Sequence, residues 1–212
     1  MKNIIIVGAA GFGRELLQWI KEINKIEGPQ WHIRGFLDDN LKALEGYECD
    51  YSVIGTIAEY EPQPDDVFAI ALADPTLKKE KVELLQAKGA EFVSVIHPES
   101  RIGDFNKIGK GVIIYPSARI TVNAELGDFV VLLDNTTIGH DAKVGSFTTI
   151  CGNCSVNGHV EIGTGSYLAN HVSIVPSRKV GNNAYVGAGS VVINNVKDGY
   201  RVFGAPAKKI ML

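Results

Sequence analysis

From Ile102 to Val192 every sixth residue is aliphatic, unbroken over sixteen hexads. The series opens Ile102, Ile108, Ile114, Ile120, Leu126, Leu132, Ile138 and keeps its phase to Val186 and Val192. Glycine follows the aliphatic residue at Gly103, Gly109, Gly127, Gly139, Gly145, Gly163, Gly181 and Gly187. Two places before it the residue is mostly small or β-branched, as at Ala118, Ala124, Thr136, Ala142, Thr148, Cys154, Ala184 and Ser190. A period of six with one large inward residue means short flat strands with a corner after each. Three hexads close one triangular coil of about eighteen residues, and five coils stacked at roughly 4.8 Å give a prism about 25 Å long. Gly and Asn at the corners would supply the unusual backbone angles.

The residues before this run read differently. Ile4 to Val7 is a short apolar run, as a buried parallel strand would be, and it ends in Gly8-Ala9-Ala10-Gly11-Phe12-Gly13. Leu16, Leu17, Ile20 and Ile23 then recur at helical spacing. Further strands are expected at Ile33 to Leu37, Val67 to Ala73 and Glu91 to Ile96, with a helix through Leu77, Val82, Leu84 and Leu85. Strands alternating with helices imply a parallel sheet covered by helices. The chain therefore divides into a Rossmann-like α/β domain over 1–97 and a repeat domain over 98–212.

The turn at Gly8, Gly11 and Gly13 has the spacing G-x-x-G-x-G, whereas the dinucleotide fingerprint is G-x-G-x-x-G. Such a turn either cradles a diphosphate at the helix N-terminus or merely allows tight strand–helix packing. Asp38 and Asp39 follow the next strand, at the sheet edge where ligands of open α/β folds bind; a plain polar turn is the alternative.

Net charge is −3, which speaks against a nucleic-acid surface. The run at Ile4 is too short for a leader or a membrane span, so a cytoplasmic protein is expected. Three cysteines, Cys49, Cys151 and Cys154, suit free thiols in a reducing compartment, and Cys154 falls on an inward position of the repeat. The histidines at 140, 159 and 171 are nineteen and twelve residues apart, which does not match a three-histidine zinc site with two ligands five apart, so no metal is expected.

His140 stands two places after Ile138, just past a corner and pointing outward, and Asp141 beside it could fix the ring tautomer. Histidine at such a place suits a general base. Gly158 lies eighteen residues on, one full coil, and should stack beside His140 with its N–H open to a carbonyl oxygen. His159 and His171 fall at other phases and read as surface or interface residues, and His97 as a packing residue at the domain junction.

The chain resembles the bacterial sugar acyltransferases of the hexapeptide-repeat kind, which include sialic acid O-acetyltransferases and bacillosamine-type nucleotide-sugar N-acetyltransferases. The likeness is carried by Ile4 to Gly13 and Gly35-Phe36-Leu37-Asp38-Asp39, by Ile138-Gly139-His140-Asp141, and by the ending Gly204-Ala205-Pro206-Ala207-Lys208. It implies a left-handed parallel β-helix and a homotrimer with acyl-CoA in the groove between neighbouring prisms. It also implies an acceptor site at Gly8, Gly11, Gly13, Asp38 and Asp39. His140 would be the base, Gly158 would contact the acetyl group, and a tail with Gly204, Pro206 and Lys208 would close on the coenzyme. Two departures touch the acceptor and coenzyme contacts: Thr149 stands where some members have histidine, and Phe12 where some have Gly-His-Gly. The resulting expectation is acetyl transfer from acetyl-CoA to a sugar amine on a nucleotide, with a sialic acid hydroxyl as the alternative acceptor. A nicotinamide-binding module and a non-catalytic scaffold are the readings from other classes.

Overall fold

A computed structural model describes residues 1–210 and separates them into two compact units, Met1–Val95 and Ile96 onward. The division falls two residues before the boundary expected from the sequence.

The first unit is a five-stranded, all-parallel sheet with the order β3-β2-β1-β4-β5. Its strands are β1 (Asn3–Val7), β2 (His32–Leu37), β3 (Val53–Gly55), β4 (Asp66–Ile70) and β5 (Glu91–Phe92). Ile4, Ile5, Ile6 and Val7 are all fully buried, as a central parallel strand requires. Helix α1 (Gly11–Ile26) buries Leu16, Leu17, Ile20 and Ile23, and α2 (Pro75–Ala87) starts at an Asp74 cap whose carboxylate accepts from Leu77 N–H at 2.8 Å. The strand expected over Glu91 to Ile96 is two: β5 stays in this sheet, and Val95–Ile96 opens the longest stack of the repeat domain.

The second unit is the expected parallel β-helix. Its two-residue strands fall into three parallel stacks, and paired residues differ by eighteen in the regular part: Arg101↔Arg119↔Thr137↔Ser155↔Ser173↔Val191 runs up one face. The in-phase aliphatic residues from Ile114 to Val192 are buried, at most 4% exposed. Ile102, in the first coil, is 39% exposed. The last coil is shorter: Tyr185 pairs with Arg201, sixteen residues on, and Arg201–Phe203 pairs antiparallel with Lys208–Lys209.

Gly and Asn supply unusual corner angles as expected, at Gly111, Gly165, Gly189, Asn123, Asn135, Asn153 and Asn183, but not at the glycines that follow the aliphatic residue. Every sixth residue from Phe105 to Gly189 has φ between 51° and 69°, but it stands three places after the aliphatic residue and is mostly Asn, Phe, Ser, His or Asp. The glycines directly after the aliphatic residue are not left-handed. At all of them but Gly187 the next coil's backbone occupies the place of a side chain: a Cβ on Gly145 would lie 2.5 Å from Thr164 N, and one on Gly163 2.5 Å from Asn182 N.

Candidate active site

Because coils repeat every eighteen residues, each corner carries vertical columns of side chains. His140 and Gly158 share one column; Asp141 and His159 share the next. The backbone confirms the stacking, since His159 N–H donates to His140 O at 2.9 Å and Asp141 N–H to Val122 O at 3.1 Å. Asp141 and His159 both hold the left-handed corner conformation, at φ 58° and 56°.

Within this cluster the His140 Nδ1–H donates to Asp141 Oδ2 at 2.7 Å. A carboxylate only accepts, so the proton sits on Nδ1 and the Nε2 lone pair is free. The face of the ring at Nε2 packs on Gly158, where only a glycine leaves it room: a Cβ there would stand 2.4 Å from Nε2. Among the described residues nothing accepts from the Gly158 N–H. A base with a free lone pair and a free backbone donor therefore meet at one corner. His140 is more than half exposed, open to a substrate.

His159 is the residue that sequence reasoning left outside the site. Its ring lies 5.0 Å from that of His140, nearly perpendicular, and its Nε2 is 3.7 Å from Asp141 Oδ2. The signal was available, since 159 is 141 plus one coil. His171 stands on a different corner, and His97 is buried, its Nδ1 accepting from Glu99 N–H at 3.2 Å.

In the first unit the two glycine-turn readings separate by residue. Gly8, at φ 104°, and Gly13 are required by packing: a Cβ on Gly8 would lie 2.7 Å from Ala71 O and one on Gly13 2.0 Å from Gly8 O. Gly11 alone faces open space. Helix α1 has Ala10 as its N-cap, makes no side-chain cap hydrogen bond, and starts at the carboxyl edge of the sheet after β1. Asp38 and Asp39 hold that edge together. Asp38 accepts from Ala9 N–H at 2.8 Å and from Asn40 N–H at 2.9 Å; Asp39 accepts from Ile57 N–H and pairs with Lys81 at 3.1 Å.

The tail is an ordered hairpin. Gly204 N–H donates to Ser190 Oγ at 3.1 Å, Ala207 N–H to Val191 O at 2.8 Å, and Lys209 Nζ lies 4.1 Å over the Tyr200 ring. Pro206 and Lys208 are exposed on it. Cys151 and Cys154 are both buried, and burial pushes Cys154 up to about 11.

Comparison with known proteins places the architecture. Residues 3–85 match the PglD N-terminal domain family. The structure superposes on PerB of Caulobacter crescentus, solved with CoA and GDP-perosamine, with TM-score 0.88 at 20% identity over 100% of this chain and 98% of that one. It superposes on the acetyltransferase domain of PglB from Neisseria gonorrhoeae FA1090 with TM-score 0.87 at 25% identity, covering 99% and 100%. The chain resembles bacterial sugar acetyltransferases along its whole length. A stretch of 115 residues is also 28% identical to the UDP-N-acetylbacillosamine N-acetyltransferase of Bacillus subtilis (strain 168), over 53% of this chain. The match spans about half (51%) of that curated relative. No helix among the described residues is long and apolar enough to cross a membrane.

Proposed function

We propose that the protein transfers the acetyl group of acetyl-CoA to the amine of a nucleotide-linked sugar. The observation that carries this reading is the exposed His140–Asp141 pair, whose ring packs on Gly158 one coil on. His140 takes the proton as the acceptor nitrogen bonds to the thioester carbonyl carbon. Asp141 holds the ring and stabilises the imidazolium. In this reading the Gly158 N–H donates to the oxygen that gains charge. Collapse breaks the carbon–sulfur bond, and the proton leaves with the CoA thiolate.

The first unit supplies nucleotide recognition in this reading. The uncapped start of α1, with Gly11 open and Arg14 in its first turn, suits a diphosphate. Asp38 and Asp39 shape the turn beside it, and Gly8 and Gly13 set its tight backbone. In the repeat domain the tail with Gly204, Pro206 and Lys208 meets the coenzyme, Lys208 as a phosphate partner. A homotrimer in the cytoplasm completes the proposal, where acetyl-CoA and reduced thiols coexist. The relatives named as N-acetyltransferases favour an amine over a sialic acid hydroxyl.

The test is thiol release from acetyl-CoA with a panel of amino-sugar nucleotides and free sialic acids, comparing wild type with His140→Ala. Release with an amino-sugar nucleotide, abolished in the variant, is the expected result. Release only with a sialic acid moves the acceptor to a hydroxyl. No release with any acceptor, and no CoA binding by calorimetry, overturns the enzyme reading.

A further inference from the structure

The Asp141 column makes the corner more than a base and its partner. His140, Asp141 and His159 each offer a ligand atom, and these atoms all lie within 4.8 Å of one another. Two imidazoles and one carboxylate are the donor set of borderline first-row ions such as Zn²⁺, Co²⁺ and Ni²⁺. Bonds of about 2.0–2.2 Å to zinc require donors a little over 3 Å apart. Asp141 Oδ2 lies 2.7 Å from His140 Nδ1 and 3.7 Å from His159 Nε2, so side-chain rotations that open the first distance and shorten the second bring the donors to that spacing. All three side chains are substantially exposed, which leaves the remaining positions to water.

We infer that His140, Asp141 and His159 form a binding site for a divalent transition-metal ion, and that an ion bound there blocks the base. A neutral imidazole has one lone pair. An ion on either ring nitrogen of His140 uses it and leaves the proton on the other nitrogen, so a metal-bound His140 cannot accept a proton. The ion is therefore an inhibitor and no cofactor, and the three-histidine spacing rule misses it because the third ligand is Asp141. The blocking clause rests on the function proposed above; the binding clause does not. His159 is the residue that distinguishes the two, since it serves the ion and the acetyl transfer above gives it no step.

The experiment titrates the full-length protein with Co²⁺, following its d–d absorption, and compares wild type with His159→Asn. Asparagine holds the same left-handed corner at Asn123, Asn135, Asn153 and Asn183, so the variant keeps the fold. One ion per chain is expected, without a thiolate charge-transfer band, and bound at least about tenfold more weakly by the variant. Equal binding by the variant, or a thiolate band from Cys49, Cys151 or Cys154, overturns the site. Zn²⁺ is then titrated into the acetyl-transfer assay. Half-inhibition is expected at a concentration at least about tenfold higher in His159→Asn than in wild type, each relative to its own rate. Equal inhibition overturns the blocking clause. If no acceptor is turned over, the function fails while the Co²⁺ result still decides the site.

Discussion

Gly158 lies one coil beyond His140 and leaves the space its ring faces: a Cβ on Gly158 would stand 2.4 Å from Nε2 and 2.5 Å from Cε1 of His140. What the added methyl would strike is the end of a side chain rather than backbone. The ring can swing aside, so Gly158→Ala should fold with nearly unchanged thermal stability. The displaced base should then lose about 100-fold in kcat/KM, the usual cost of misplacing a reacting group by an ångström. Circular dichroism and steady-state kinetics on the same preparation check this. A large fall in melting temperature would mean that the glycine is structural.

Asp141→Asn tests the orienting carboxylate. Asparagine is at ease at φ 58°, so the corner should keep its shape. An amide can donate to Nδ1 and so favour the wrong tautomer, and it cannot stabilise an imidazolium. The expected loss in kcat is about 10²–10⁴-fold with little change in KM. Rescue by Asp141→Glu, even in part, would assign the effect to the negative charge.

Much of this architecture was legible because one residue in six is confined to the prism axis, and no surface residue can take its place. The phase alone located the core from Ile114 to Val192 and the stacking of Gly158 beside His140. Other features depend on geometry that the phase does not encode. That the left-handed residue falls three places after the aliphatic one became visible only in the structure. Val53–Gly55 is a three-residue edge strand with half-buried side chains and no periodicity to mark it. The short last coil places Val196 and Val202 in the core out of the earlier phase. The glycine turn was ambiguous because one sequence pattern serves two needs: Gly8 and Gly13 answer to packing, Gly11 to open space.

The two classes of corner residue should respond oppositely to substitution. Gly163→Ala drives a methyl against Asn182 N and Gly181 C, at 2.5 and 2.7 Å, and backbone on a stacked coil cannot yield. Overpacking of this kind costs about 2–3 kcal/mol, or several degrees of melting temperature. Asn183→Gly, at φ 51°, removes a side chain from a conformation that glycine adopts freely, so stability should change by about 0.5 kcal/mol or less. Thermal melts of the two variants side by side decide it. Equal destabilisation would contradict the division of labour.

The first unit should carry an acid-sensitive clasp. Asp66 has no exposed side-chain surface; it accepts from Tyr60 Oη–H at 2.7 Å, from Gln63 N–H at 3.0 Å and from Arg34 at 3.0 Å. Burial alone would push its carboxyl up, but the Tyr60 hydroxyl, the Gln63 N–H and the Arg34 guanidinium outweigh it and hold the group below its ordinary value. Burial, with Asp66 beside it, raises Tyr60 to about 12, so the phenol keeps donating throughout the acid range. A depressed carboxyl contributes stability that is fully present above its unfolded pKa, about 3.9, and is lost as pH falls through the lower folded value. Asp66→Asn should therefore cost about 2 kcal/mol at neutral pH and flatten the fall in stability below about pH 4. Trp19 and Trp31, the two tryptophans, both lie in this unit, so urea unfolding followed by tryptophan fluorescence between pH 3 and 7 reads it directly. An unchanged acid slope in the variant would remove Asp66 from the acid response and leave that response to other carboxylates.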